Sequence, residues 1–186
     1  TDAPSRIITL PHNGANPNKW CVPAAISAAT GCTTDLAALL IARYRARQLT
    51  ASTTAAPVSW SDARRIQGVY NFEAADAFAM LGFSVTAEPF APCDDDAWRI
   101  RRPTYAQFVR DVVANAPSGT AFYVCAARHA SIVQGGFVAD NQGGLRAVSE
   151  WKRKRARVQL AYRLTRTHVV QFDALQSRIL AGREFQ

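Results

Sequence analysis

The sequence predicts an α+β fold in which N-terminal helices pack on a C-terminal antiparallel sheet. Three observations carry this expectation. Apolar residues recur at helical spacing in the first two thirds of the chain. After Pro117-Ser118-Gly119 they change to short runs rich in Val, Ile, Phe and Tyr. Gly135-Gly136 then separates two such runs, which is a hairpin signal. Helices first and strands after is an α+β order. The 186 residues fit one domain, positions 1–186, with a helical part over about 16–115 and a sheet part over about 118–170. No internal repeat is visible.

The first 19 residues read as extended and loop-rich, with one strand candidate at 6–10; Pro11, Asn13, Gly14 and Pro17 oppose a helix. A first helix is predicted from Cys21 to Thr30. Pro23 is tolerated in its first turn, and Gly31 supplies a left-handed cap. Its Ala24, Ala25, Ala28 and Ala29 let neighbouring backbones come close. A second helix is predicted with Thr34 or Asp35 as N-cap and Leu36, Leu39, Leu40 and Tyr44 on one face. Arg43, Arg45 and Arg47 crowd its end, and the small residues of 49–57 read as a mobile loop. Asn71 is expected to cap a third helix ended by Gly82, and Phe83 to Glu88 then alternates like a strand. Positions 89–103 read as irregular, with Asp94-Asp95-Asp96 as a solvated acidic turn. Thr104 and Gln107 form a capping box for a fourth helix, whose Phe108, Val109, Val112 and Val113 face the core. Strands are expected at 120–127, 130–134, 137–141 and 157–165.

Composition narrows the function classes. A hydrophobic share of 48% and a charged share of 19% are ordinary for a globular protein. No apolar run approaches the roughly 20 residues of a membrane span, so no membrane association is predicted. The sequence shows no basic-then-apolar leader pattern, which predicts a cytoplasmic location. Cys21, Cys32, Cys93 and Cys125 are expected as free thiols. With no CxxC or HxxxH pair and with His12, His129 and His168 scattered, neither a metal nor another cofactor is predicted.

The chemistry is expected at Cys21, because a cysteine in the first helical turn faces free backbone N–H groups and the positive end of the helix dipole. Both favour thiolate. A partner base is offered by His129. If the turn at Gly135-Gly136 has two residues, Ser131 faces Asp140 and His129 faces Gln142, so all four share one face and Asp140 lies diagonal to His129. One more residue in the turn would put Asn141 there instead. Asp140 is the preferred orienting group and Asn141 the fallback.

These residues, from Cys21-Val22-Pro23-Ala24-Ala25-Ile26 through Leu81-Gly82-Phe83 to His129-Ala130-Ser131-Ile132-Val133 and Phe137-Val138-Ala139-Asp140, resemble the papain-like cysteine peptidase superfamily. The likeness is to its compact phage, viral and bacterial members, and the order cysteine, histidine, acid or amide matches. The resemblance implies a thiol protease: Cys21 attacks a carbonyl, His129 holds the thiolate and protonates the leaving amine, and Asp140 orients His129. Its substrate would be a protein or peptide, such as a viral precursor or a host protein, met in host cytoplasm or virion. An amidase or deconjugating enzyme would use the same site. The Cys21 backbone N–H would be half of the oxyanion hole. The family's usual upstream glutamine is replaced here by Ala15, leaving Asn16 and Asn18 as candidates for the other half.

The formal net charge is +8, concentrated after Trp151. Lys152, Arg153, Lys154, Arg155 and Arg157 are candidates for binding nucleic acid. The competing expectation is a strand edge guarded by cations.

Overall fold

The computed structural model of the chain describes residues 20–50, 57–90, 92–93, 96–100, 102–142 and 144–182. The strand candidate at 6–10 and most of the loop expected at 49–57 lie outside these residues. Helix α1, Cys21–Thr30, is buried from Val22 to Thr30, as its alanine-rich surface requires. Gly31 ends it at φ 84°, where its N–H bonds Ser27 O at 2.8 Å. Helix α2, Thr34–Thr50, outruns its expected length. Its cap is Thr33 rather than Thr34 or Asp35, since Thr33 Oγ1 accepts from Leu36 N at 3.1 Å. Leu36, Leu39, Leu40 and Ile41 are its buried face.

A short helix not anticipated from the sequence, α3 (Trp60–Arg64), is opened by a reciprocal capping box between Ser59 and Asp62. Helix α4 spans Asn71–Met80. Its cap position belongs to Tyr70, whose N–H bonds Glu73 Oε2 at 2.7 Å, so Asn71 is free to point elsewhere. Gly82 has φ 85°, and a Cβ there would lie 2.4 Å from the His168 carbonyl oxygen. Only glycine meets both demands. Strand β1, Phe83–Ala87, follows. The region expected to be irregular holds a two-stranded ribbon of β2 (Pro92–Cys93) and β3 (Asp96–Ile100). Helix α5, Tyr105–Phe108, is opened by the Thr104–Gln107 capping box and continues as a π-helical turn, Val109–Val113. In that turn Val113 is buried, and Val109 and Val112 are half-buried.

The main sheet contains β1, β4 (Ala121–Ala126), β5 (His129–Gln134), β6 (Phe137–Asp140), β7 (Gly144–Ala147) and β8 (Val158–Arg166), in the order β1-β8-β4-β5-β6-β7. Every pairing is antiparallel. Helix α6, Phe172–Leu180, follows β8. The strand expected at 83–88 is present as β1 and joins the main sheet from within the helical part, while α6, which follows the sheet, was not anticipated from the sequence. The expectation that cations guard a strand edge is also corrected, because β8 lies between β1 and β4. Its Arg163 instead pairs with Glu88 at 2.6 Å.

Alternation along the strands divides the core into two layers. One face of the sheet, with Ala121, Tyr123, Ala130, Ile132 and Leu164, packs under the helices. The other face, with Phe122, Val124, Val133, Val138 and Ala161, packs with Tyr105, Phe108, Val113 and Trp151. Helix α1 lies over β5 and β6, which brings its N-terminus to the end of the sheet where His129 begins its strand.

Candidate active site

Strands β4 and β5 are joined by a two-residue turn, with Ala126 opposite His129. Both turn residues, Ala127 (φ 51°) and Arg128 (φ 58°), adopt left-handed backbone. That is the conformation a type I′ hairpin demands, here without the usual Asn or Gly. His129 follows at once, 5% exposed. Across the next hairpin Gln134 pairs with Phe137, Val133 with Val138 and Ile132 with Ala139. The Gly135-Gly136 turn thus holds two residues, and Asp140 lies on the His129 side of the strand.

His129 Nε2 lies 3.0 Å from Asp140 Oδ2. A carboxylate only accepts, so Nε2 carries the proton and the other ring nitrogen is left for Cys21. Asp140 is 1% exposed and gathers further donors. Trp151 Nε1 donates to Oδ2 at 3.0 Å, the Gln142 N–H to Oδ1 at 3.1 Å, and the Arg146 guanidinium to Oδ1 at 2.5 Å. Trp151 is in turn held edge-on against Tyr105, ring centroids 4.1 Å apart, and the Tyr105 hydroxyl is 3.0 Å from Ser131 Oγ. Asn141 lies beyond the end of β6, and its buried Oδ1 has no partner among the described residues.

The titration of these groups follows from their contacts. Burial works to raise the Cys21 thiol, but the hydrogen bond and charge of His129, with backbone contacts at Ala130 and Val22, bring it below its ordinary value. Burial works to lower His129, but bonds to Asp140 and Cys21 and the Cys21 charge raise it above its ordinary value. Burial disfavours the Asp140 carboxylate, yet His129, Trp151 and Arg146 together hold it well below the usual range. The other described thiols behave oppositely: burial pushes Cys32 and Cys125 up to about 11. The side chain of Cys93 lies outside the described residues.

Cys21 and His129 open onto a cleft of about 560 Å³. On its wall Asn71 Oδ1 accepts from the Cys125 thiol at 3.1 Å and from the Tyr123 hydroxyl at 3.4 Å. Trp20, just before the nucleophile candidate, is buried in the core and does not line the cleft. Asn16 and Asn18 lie outside the described residues.

The basic run occupies the turn before β8 and does not form one uniform face. Lys152 and Arg155 are exposed. The Lys154 ammonium donates to Ser149 O, Arg157 donates to Arg102 O at 2.9 Å, and Arg153 turns toward the cleft. Among the described residues no group of three or more His, Cys, Asp or Glu side chains is arranged to hold a metal ion. No described helix is long and apolar enough to cross a membrane.

Sequence reasoning brought Cys21, His129 and Asp140 forward; Arg146 and Trp151 it passed over, since their approach to Asp140 has no local signature. Asn71 it placed at a helix cap. No known protein family, curated protein or solved structure matches the chain.

Proposed function

We propose that the chain is a papain-like cysteine hydrolase that cleaves amide bonds in a protein or peptide. The observation supporting this most strongly is the His129–Asp140 pair, 3.0 Å apart, set with Cys21 at one end of a cleft, where Cys21 is lowered and His129 raised by their interaction. A thiolate shifted down and an imidazole shifted up form an ion pair, which is the reactive state of such a site. The Cys21 sulfur forms a bond to the substrate carbonyl carbon, and the C–N bond breaks as His129 passes its proton to the leaving amine. His129 then takes a proton from water, whose oxygen attacks the thioester; the acid leaves and Cys21 is regenerated. Asp140 holds the imidazole in the required tautomer throughout. The Cys21 backbone N–H, at the free N-terminus of α1, donates to the oxyanion, and Asn16 or Asn18 supplies the second donor.

Iodoacetamide tests this reading. Cys21 should be alkylated far faster than Cys32 or Cys125, at a rate that falls in His129→Gln; equal labelling of all thiols would sink the ion pair. Cys21→Ala should abolish hydrolysis of peptide substrates with the fold retained. Retained turnover would remove Cys21 from the mechanism. The nucleic-acid reading of Lys152, Arg153, Lys154, Arg155 and Arg157 has a separate test, the salt dependence of oligonucleotide binding.

A further inference from the structure

The cleft carries more positive charge than the thiol chemistry needs. Arg128 and Arg153 line it beside His129, and none of its described lining residues is Asp or Glu. Neither arginine forms an ion pair with a described residue. Arg153 donates to Ala127 O and to Gln142 Oε1, both at 3.4 Å, long contacts that leave most of its five donors unused.

The positive charge of Arg153 works against protonation of His129, opposing the ion pair that Asp140 and Cys21 promote. Arg128 stands exposed on the type I′ turn just before His129. An anion held by the two guanidinium groups would offset the charge they bring beside His129, since a carboxylate meets an arginine fork with paired charge-assisted bonds. The cleft volume lies in the range of small-ligand and peptide pockets.

We propose that the cleft selects an acidic peptide, with Arg128 and Arg153 receiving a carboxylate next to the bond presented to Cys21. This rests on the hydrolase reading and names its substrate class.

Iodoacetate and iodoacetamide test it, being nearly equal in size and different in charge. The ratio of their rates at Cys21 is compared between the wild type and an Arg128→Gln/Arg153→Gln protein. Any change in the thiolate fraction of Cys21 acts on both reagents and cancels in the ratio, and the loss of Arg153 favours the His129 charge, which would raise rather than lower the iodoacetate preference. The iodoacetate preference should fall about five- to tenfold in the double variant, the size expected for two exposed charge contacts. It should also fall with added salt in the wild type. Each single variant should carry part of the change. A ratio unaltered by the substitutions overturns the proposal. The hydrolase reading is judged separately, by whether iodoacetamide still labels Cys21 ahead of Cys32 and Cys125. In a competition arm, hexaglutamate should slow iodoacetamide at Cys21 in the wild type and not in the double variant. Protection by a single-stranded DNA oligonucleotide alone would overturn the proposal in favour of nucleic acid.

Discussion

His129 Nε2 and Asp140 Oδ2 stand 3.0 Å apart, at the ends of two strands whose register is set by the two-residue Gly135-Gly136 turn. That pairing fixes the imidazole tautomer and leaves its second nitrogen facing Cys21.

Replacing Asp140 should separate orientation from charge. Asn at this position still offers an oxygen to Nε2–H, whereas Ala offers nothing. We predict kcat/KM on a peptide substrate in the order wild type, Asp140→Asn, Asp140→Ala, with Ala lower by about 10²–10⁴. Ala also leaves Arg146 without its carboxylate and should destabilise the fold by about 3–5 kcal/mol in urea denaturation. The folded carboxylate titrates below its unfolded value, so its stabilisation is present above about pH 4 and lost as pH falls toward the folded value. The stability gap to Asp140→Asn should therefore close below pH 4.

The shifts at Cys21 and His129 run in opposite directions. The two shifts bring the groups' values toward each other and favour coexistence of thiolate and imidazolium, and the two groups titrate as a pair. Hydrolysis should follow a bell whose acid limb lies below the ordinary thiol range and whose alkaline limb lies above the ordinary imidazole value of about 6.5. Removing the thiolate in Cys21→Ala should lower the His129 midpoint seen by NMR titration. An unchanged midpoint would mean the two groups do not interact.

Arg146 and Trp151 act on His129 through Asp140. Arg146→Met removes a cation that competes for the carboxylate, so the alkaline limb should move upward while the fold loses stability. Trp151→Phe keeps the ring against Tyr105 but deletes one donor to Asp140. A hydrogen bond to a charged group is worth about 1.5–3 kcal/mol, which thermal denaturation would read. A purely structural role would leave the pH profile of both variants unmoved.

Glu73 carries a separate stability prediction. It is 3% exposed, caps α4 through the Tyr70 N–H and meets Arg45 Nε at 2.6 Å and Nη2 at 2.9 Å. Glu73→Ala removes the cap and the ion pair but leaves Arg45 partly solvated and bonded to the Gln67 and Gly68 carbonyls, so it should cost about 1–3 kcal/mol, with Cys21 alkylation kinetics preserved in the remaining folded protein.

Local rules made much of this fold legible. The Cys21 start of α1, the Gly31 stop, the Thr104–Gln107 box and the hairpin parity that puts His129 and Asp140 on one side all rest on neighbours in sequence. Periods of 3.6 and 2 and short hydrogen-bonded caps need no distant partner. Other features depended on tertiary packing. β8 enters the sheet between β1 and β4, Trp151 and Arg146 close on Asp140, Asn71 leaves the cap to Tyr70 and bonds Cys125, and Arg153 turns from a basic run into the cleft. The placement of β8, the Asn71–Cys125 bond and the turn of Arg153 into the cleft join segments remote along the chain, while Arg146 and Trp151 reach Asp140 from six and eleven residues away only because β7 and the turn after it fold back on β6. A short-range pattern encodes what a residue can become locally; the packed sheet selects what it touches.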